Sequence, residues 1–283
     1  MRILVIGSDG KIGSELVKYY ESHNHTVFKT TRNAEKINEK NYLLDLSENS
    51  SNWPSRWPNI DVVFFCASIT SVQYCENEPE KSYKINVLST QKLLKIFSDL
   101  GFFIIYISSN MVFDGLKPFA NVDDKPNPRT EYGKQKAEIE NYLLNLIDNS
   151  AIVRLGKVVT FDMSLINNWI LKLKKGNTIS AFTDMFISPI SIEFTLNLLS
   201  KIAQTKMQGI FQATANQDIS YYQLAKHITK KLELSDMLVE RASYKNSDIR
   251  FSPENTTLNT SRLKNIGISS PDSFDAFEHF FNT

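Results

Sequence analysis

The chain opens Met1-Arg-Ile-Leu-Val-Ile-Gly7-Ser-Asp-Gly10-Lys-Ile-Gly13. Ile3 to Ile6 is an unbroken apolar run, the pattern of a strand covered on both faces. Gly13 to Ser22 then alternates apolar and polar residues at helical spacing, so the three glycines form the turn between a buried strand and an amphipathic helix. Glycine permits positive φ and close backbone approach, and the helix N-terminus offers unpaired N–H donors. In that context the GxxGxxG spacing reads as a phosphate-binding turn for a dinucleotide, with Gly7, Ser8, Gly10, Lys11, Ile12 and Gly13 as its candidate residues.

Outward from this turn the same alternation continues. Thr26 to Thr30, Val62 to Cys66, Phe102 to Ser108 and Ile152 to Leu155 are predicted strands, and Ser82 to Leu100 and Glu131 to Ile147 are predicted helices. The order implies an α/β fold, a doubly wound parallel sheet of Rossmann type. After Leu155 the rhythm changes. A helix from Leu165 to Lys175 ends at Gly176, an irregular stretch runs through Phe182, Asp184, Ser188 and Pro189, and helices follow at Ile192 to Gln204, Tyr221 to Leu232 and Ser273 to Phe281. The expected organisation is a dinucleotide domain over 1–156, to which 190–215 returns through a strand at Gly209 to Ala213. Residues 157–189 and 216–283 then make a smaller, discontinuous C-terminal substrate lobe.

Bulk properties narrow the function. The 283 residues are 42% hydrophobic and 22% charged with a net charge of +1, the profile of an ordinary globular protein without a basic field for nucleic acid. The N-terminus enters a strand directly and carries no signal-peptide pattern, and no stretch reaches the roughly 18 uninterrupted apolar residues of a membrane span. A cytoplasmic protein with no nucleic-acid or membrane partner is expected. Cys66 and Cys75 are the only cysteines and lie outside any CxxC pair, while His23, His25, His227 and His279 are scattered, so neither a disulfide nor a metal site is expected. Trp53 and Trp57 with Pro54 and Pro58 read as a small packing cluster.

Two segments carry candidate chemistry. Tyr132-Gly-Lys-Gln-Lys136 begins a helix, and the i, i+4 spacing puts phenol and ammonium on one face. A phenol beside an ammonium is drawn towards the range of proton exchange with a carbonyl or alcohol. Upstream, Tyr106-Ile-Ser-Ser109 ends an apolar strand in hydroxyls, and both segments open at the carboxyl edge of the sheet, where ligands bind. Ser109 is the candidate for polarising a carbonyl and Ser108 is its neighbouring alternative. The second strand ends Lys29-Thr-Thr-Arg32 without the carboxylate that grips a ribose 2′-hydroxyl. Thr31 and Arg32 therefore read either as a grip on a 2′-phosphate, which favours NADP(H) with NAD(H) still possible, or as a solvated basic turn.

These motifs resemble the extended short-chain dehydrogenase/reductases, and among them the dTDP-4-dehydrorhamnose reductase group of sugar-nucleotide reductases. The resemblance runs nearly the full length. Its marks are the GxxGxxG turn, Asp45-Leu46, Cys66-Ala67-Ser68, Cys75-Glu76 with Pro79, and Ile85-Asn86-Val87. Ser109 with Val112-Phe113-Asp114-Gly115, and Pro126-Asn127-Pro128 leading to Tyr132 and Lys136, complete them. The resemblance implies a nicotinamide cofactor and a nucleotide-sugar substrate. In that family pattern Ser109 orients the keto oxygen, Tyr132 donates the proton, and Lys136 lowers the phenol's pKa and holds the ribose. Asp45 and Leu46 flank adenine, Cys66, Ala67, Ser68, Asn86 and Ser108 join the cofactor site, and Leu155 passes the nicotinamide end. Asn110, Met111, Phe182, Asp184 and Ser188 fall at substrate positions, and Arg262 at that of a diphosphate.

The chain also departs from the group. Asn110-Met111 replaces Asp-Tyr after the catalytic hydroxyl, Arg154-Leu-Gly-Lys-Val replaces Arg-Thr-Ser-Trp-Val, and Asp184-Met-Phe-Ile-Ser-Pro189 replaces Asp-Gln-x-Gly-x-Pro-Thr. A nucleotide-sugar epimerase or dehydratase shares the Tyr/Lys pair. A regulatory subunit, as in methionine adenosyltransferase, shares the fold. The predicted helices 82–100 and 131–147 carry apolar residues, among them Leu93, Ile96, Tyr142 and Leu146, which suggest a homodimer.

Overall fold

In the computed structural model, which describes residues 1–249 and 251–281 apart from the Leu146 side chain, seven strands form the central sheet. They are β1 (Arg2–Ile6), β2 (Thr26–Thr31), β3 (Asn41–Leu43), β4 (Val62–Phe65), β5 (Phe103–Ser109), β6 (Ser150–Leu155) and, after four short strands, β11 (Gly209–Ala213). The short strands are β7 (Lys157–Val159), β8 (Ile179–Phe182), β9 (Phe186–Ile187) and β10 (Pro189–Ser191); β12 (Ile219–Ser220) and β13 (Val239–Ala242) follow β11. The sheet order is β11-β6-β5-β4-β1-β2-β3. β1 pairs in parallel with both β2 and β4, Leu4 lying opposite Phe28 on one side and Val63 on the other. β1, β4, β5 and β6 are buried along almost their whole length, which explains their continuous apolar runs: helices cover both faces of the sheet, so neither side of a strand is left to water. The connection sense reverses between β1 and β4, which makes their carboxyl ends the topological switch point.

Two compact units divide the chain. The first comprises Met1–Phe113, Lys125–Arg154 and Leu196–Phe211, and the second Asp114–Asp124, Leu155–Thr195 and Gln212–Thr283. The segment 114–124, assigned from sequence to the dinucleotide domain, belongs to the second unit. Its backbone is held there: the Phe119 N–H donates to the Thr257 carbonyl at 3.0 Å, and Gln212 Nε2 donates to the Ala120 carbonyl at 2.9 Å.

The helices of the first unit are α1 (Lys11–Ser22), α2 (Val72–Asn77), α3 (Pro79–Tyr83), α4 (Thr90–Asp99) and α5 (Glu131–Leu146). The helix expected over 82–100 runs without a break from α3 through a π-helical turn at Lys84–Ser89 into α4. The wide turn places Asn86 inside the unit, 3% exposed. There its Oδ1 accepts from the Ile69 N–H (2.7 Å) and Ser68 Oγ (3.0 Å), and its Nδ2 donates to Gln135 Oε1 (2.7 Å). Sequence periodicity cannot show a π turn, because a single inserted residue only shifts the phase of the apolar pattern. Leu93 is fully buried inside its own unit and is not available to a second subunit; Ile96 is partly exposed.

The second unit carries α6 (Ser164–Lys174) and α8 (Tyr221–Lys231), while α7 (Ile192–Thr205) begins in it and ends in the first. The stretch expected to be irregular holds β8, β9 and β10, which pair with β13, β12 and β7 respectively. Trp169, Leu173, Ile179, Leu224, Ile228 and Phe277 form its core. The predicted last helix, 273–281, is a 3-10 helix at Asp275–Phe280.

Gly133, in the first turn of α5, has no room for a side chain: a Cβ there would lie 2.2 Å from the Met111 carbonyl oxygen. Gly133→Ala should therefore cost about 1–3 kcal/mol in urea unfolding. Gly101→Ala meets no atom within 4 Å and strains only its φ of +73°, so a cost of about 1–2 kcal/mol is expected there. Only the first variant should also disturb the Ser109–Met111 turn.

Candidate active site

The glycine turn lies at the switch point and is built for close approach. Gly7 has φ +84°, and a Cβ on it would lie 2.7 Å from the Ala67 nitrogen; a Cβ on Gly13 would lie 2.2 Å from the Gly7 carbonyl oxygen. Gly10 caps α1 without any side-chain hydrogen bond, and the first turn of α1 holds no acidic residue. No acidic side chain within that turn competes for its N–H groups, which fits a pyrophosphate. Ser8 turns inward, its hydroxyl donating to the Thr30 carbonyl at 2.8 Å, while Lys11 is exposed and Ile12 half-buried. Asp45 accepts from the Ser47 N–H and hydroxyl, and the Trp53 indole donates to the Asp45 carbonyl at 2.9 Å. Leu46 is buried, with its carbonyl accepting from Ser89 Oγ at 2.6 Å. Trp53 is thus a brace for the Asp45–Leu46 segment, and Trp57 packs edge-on against Phe97.

Ser109, Tyr132 and Lys136 come together as their spacing predicts. Ser109 ends β5 and caps a short 3-10 turn, accepting the Met111 N–H at 3.2 Å. Thr130 caps α5 by accepting the Gly133 N–H at 3.1 Å, and Glu76 accepts the Glu131 N–H at 2.7 Å, so the start of α5 is fixed from both sides. Tyr132 and Lys136 follow on its inner face, 8% and 4% exposed. Burial lifts the Tyr132 phenol to about 12, against a Ser109 hydrogen bond that lowers it. Burial likewise lowers the Lys136 ammonium to about 8, against the nearby Cys66, Glu140 and Cys75, which raise it. Lys136 Nζ donates to the Ile107 carbonyl at 2.8 Å and lies 5.8 Å from the centre of the Tyr132 ring. The expectation that Lys136 pulls the phenol pKa down is therefore not met in the protein alone: desolvation acts on both groups and leaves the phenol as the firmer holder of its proton.

Beneath these residues lies an ion pair that motif reading missed. Glu140 and Arg154 are each 1% exposed. Arg154 Nη2 and Nε donate to Glu140 Oε2 at 2.7 and 3.1 Å, and Nε also to Oε1 at 3.0 Å. Ser108, the alternative catalytic serine, donates to Glu140 Oε1 at 2.5 Å, and the Arg154 guanidinium stands 4.9 Å from the centre of the Phe113 ring. Ser108 is thereby committed to the carboxylate. The i, i+4, i+8 spacing of Tyr132, Lys136 and Glu140 was the available signal, since it marks one continuous polar face.

In the second unit, Leu155 closes β6 and is buried. Asp184 accepts from Ser243 Oγ at 2.5 Å and the Tyr244 N–H at 2.9 Å. Ser188 is fully buried and donates to the Ala215 carbonyl at 3.1 Å, Phe182 packs on the core of the unit, and Arg262 is exposed on the 3-10 helix Ser261–Ile266. Asn110 and Met111 are half-buried beside Ser109. Among the described residues no group of three His, Cys, Asp or Glu side chains is arranged to hold a metal.

The sequence profile of the RmlD substrate binding domain matches residues 1–282. The chain belongs to that family. Bovine (Bos taurus) methionine adenosyltransferase 2 subunit beta is 27% identical over 285 residues, covering 96% of this chain and 84% of that protein. A hypothetical dTDP-4-dehydrorhamnose reductase from Sulfolobus tokodaii superposes with a TM-score of 0.79 at 28% identity, covering 95% and 96% of the two chains. The dTDP-4-dehydrorhamnose reductase of Bacillus anthracis in complex with NADP superposes at 0.83 with 21% identity, covering 99% and 97%. The last of these likenesses is one of fold.

Removing one charge of the buried pair strands the other. Glu140→Gln and Arg154→Met should each lower unfolding stability by about 3–5 kcal/mol. The double variant should lose clearly less than the sum, as coupled partners do. Additive losses would show that the pair does not act as a unit.

Proposed function

We propose that this chain reduces a keto group on a nucleotide-activated sugar, using a nicotinamide dinucleotide, with Ser109, Tyr132 and Lys136 as its catalytic residues. The observation that carries the proposal is Tyr132: a buried phenol, protonated at neutral pH, with Ser109 acting against the rise in its pKa and a buried lysine one helical turn away. Family membership and the reductases of like fold support it. Gly7, Gly10 and Gly13 would hold the pyrophosphate, Asp45 and Leu46 the adenine side, and Lys136 the ribose. A bound nicotinamide would supply a hydride to the carbonyl carbon.

The protein's own work is on the oxygen. Ser109 hydrogen-bonds the carbonyl oxygen and fixes its position against the phenol. As negative charge grows on that oxygen, the Tyr132 O–H bond breaks and its proton forms the product hydroxyl. The phenolate left behind recovers a proton from Lys136, whose buried ammonium gives one up more readily than the phenol does. Nucleotide and sugar recognition fall to the segment around Phe182, Asp184 and Ser188 and to Arg262. A homodimer through α4 and α5 belongs to the same proposal, supported by the exposed Ile96 and Leu144. Among the described residues no helix is long and apolar enough to cross a membrane.

A second reading is favoured by one finding, the likeness to a protein named as a subunit of methionine adenosyltransferase. It makes the chain a dinucleotide-binding subunit of another enzyme. Oxidation of the reduced cofactor, followed against a panel of 4-keto nucleotide sugars, separates the two: turnover supports the reductase, while cofactor binding without turnover on any sugar supports the subunit.

Tyr132→Phe removes only the phenolic oxygen. Turnover should fall by about 10²- to 10⁴-fold while cofactor affinity holds, because general acid catalysis is lost and the binding groups remain. Full turnover in this variant would reject Tyr132 as the acid.

Cofactor affinity should also depend on pH. The folded Lys136 sits near 8, below its ordinary 10.5, so its ammonium is present below about pH 8 and lost above it. Fluorescence titration should show affinity declining above that pH in the wild type, and lower, flat affinity in Lys136→Met.

A further inference from the structure

Asp9 stands in the glycine turn, yet its carboxylate lies against the end of β2. Its Oδ2 accepts from the Thr31 hydroxyl at 2.7 Å and its Oδ1 from the Lys36 ammonium at 3.2 Å. Burial pushes the carboxyl up, but the Thr31 hydroxyl, Lys36 and the Arg32 backbone N–H together outweigh it and hold the group below its ordinary value. Thr31 has no proton left to offer a phosphate, because its hydroxyl donates to Asp9 and accepts from the Asn33 N–H at 3.0 Å. The Asp9 side chain is still 45% exposed. A carboxylate has about four acceptor positions, and the Thr31 hydroxyl and the Lys36 ammonium take two of them, so Asp9 keeps capacity for a further hydrogen bond.

In doubly wound dinucleotide folds the end of the second strand faces the adenosine ribose. An acid there accepts the 2′-hydroxyl, and a 2′-phosphate calls for a cation in its place. β2 lacks that acid in sequence, but Asp9 brings one to the same place from the adjoining turn. We propose that Asp9 is the specificity-determining residue of the nucleotide site and selects a dinucleotide with a free 2′-hydroxyl, NAD(H) over NADP(H). This rests on the reading of the chain as a nicotinamide-dinucleotide protein. It reverses the preference that Thr31 and Arg32 suggest when read as sequence alone. A 2′-phosphate at this position would bring two negative charges within hydrogen-bonding range of an anchored third. Lys36 already serves Asp9, so it cannot compensate fully.

The test is direct binding of NADH and NADPH to the purified full chain, by calorimetry or by quenching of protein fluorescence, for wild type, Asp9→Asn and Asp9→Ser. The wild type should bind NADH about tenfold or more tighter than NADPH. Both variants should shift that ratio by about tenfold towards NADPH, the order expected for removing one like-charge contact near a protein surface. Tighter wild-type binding of NADPH, or an unchanged ratio in a folded variant, would overturn the role of Asp9 while leaving the dinucleotide reading intact. Failure of both dinucleotides to bind at about millimolar concentration, far weaker than specific recognition gives, would overturn both.

Discussion

Helix α5 turns Gln135, Lys136 and Glu140 into the interior, and a buried polar or charged group without partners costs several kcal/mol. Three such groups on one helix confine it to the single position where all are satisfied together. Gln135 reaches Ser82 and Asn86, Lys136 reaches the Ile107 carbonyl, and Glu140 reaches Ser108 and Arg154. The partners come from α3, from the π turn, from β5 and from β6, so satisfying this stripe fixes α5 against four other elements of the first unit. Gly133 adds a steric condition, since its backbone meets the Met111 carbonyl at a distance that excludes any side chain. Tyr132 then needs no hydrogen bond of its own to be placed: the residues below it on the helix have already set the register.

This dependence explains what sequence reading reaches and what it misses. Apolar runs for β1, β4 and β5 are legible because strands buried on both faces need unbroken hydrophobicity, and the glycine turn is legible because close approach admits no other residue type. Tyr132 and Lys136 are legible from their spacing. Glu140 lies one turn further along the same face, but a glutamate on a helix ordinarily signals solvent, and its partner Arg154 sits on a strand that nothing local connects to it. The second unit is harder to read. Its strands β9 and β12 have only two residues each, and its segment 114–124 is held by hydrogen bonds to residues far along the chain. Asp9 is a third kind of case. The rule for the ribose acid looks at the end of the second strand, whereas the carboxylate proposed for that role stands in the first turn and is tied to the strand by the Thr31 hydroxyl.

The same buried stripe sets the order of proton affinities at the candidate site. In water a tyrosine and a lysine hold their protons about equally, with ordinary values near 10 and 10.4. Burial disfavours the charged form of each and so drives them apart, the phenol up to about 12 and the ammonium down to about 8. A phenol raised in this way gives nothing to water at neutral pH, and releases its proton only to an oxygen that has become strongly basic, which in the proposed reaction would be the carbonyl oxygen as it takes on charge. The neighbouring lysine, lowered in the same way, is a ready source for replacing that proton. In the proposed reaction burial would weaken the acid at rest and also tie proton release to the moment when charge appears on the substrate, which is the condition general acid catalysis needs to act on a transition state rather than on the ground state.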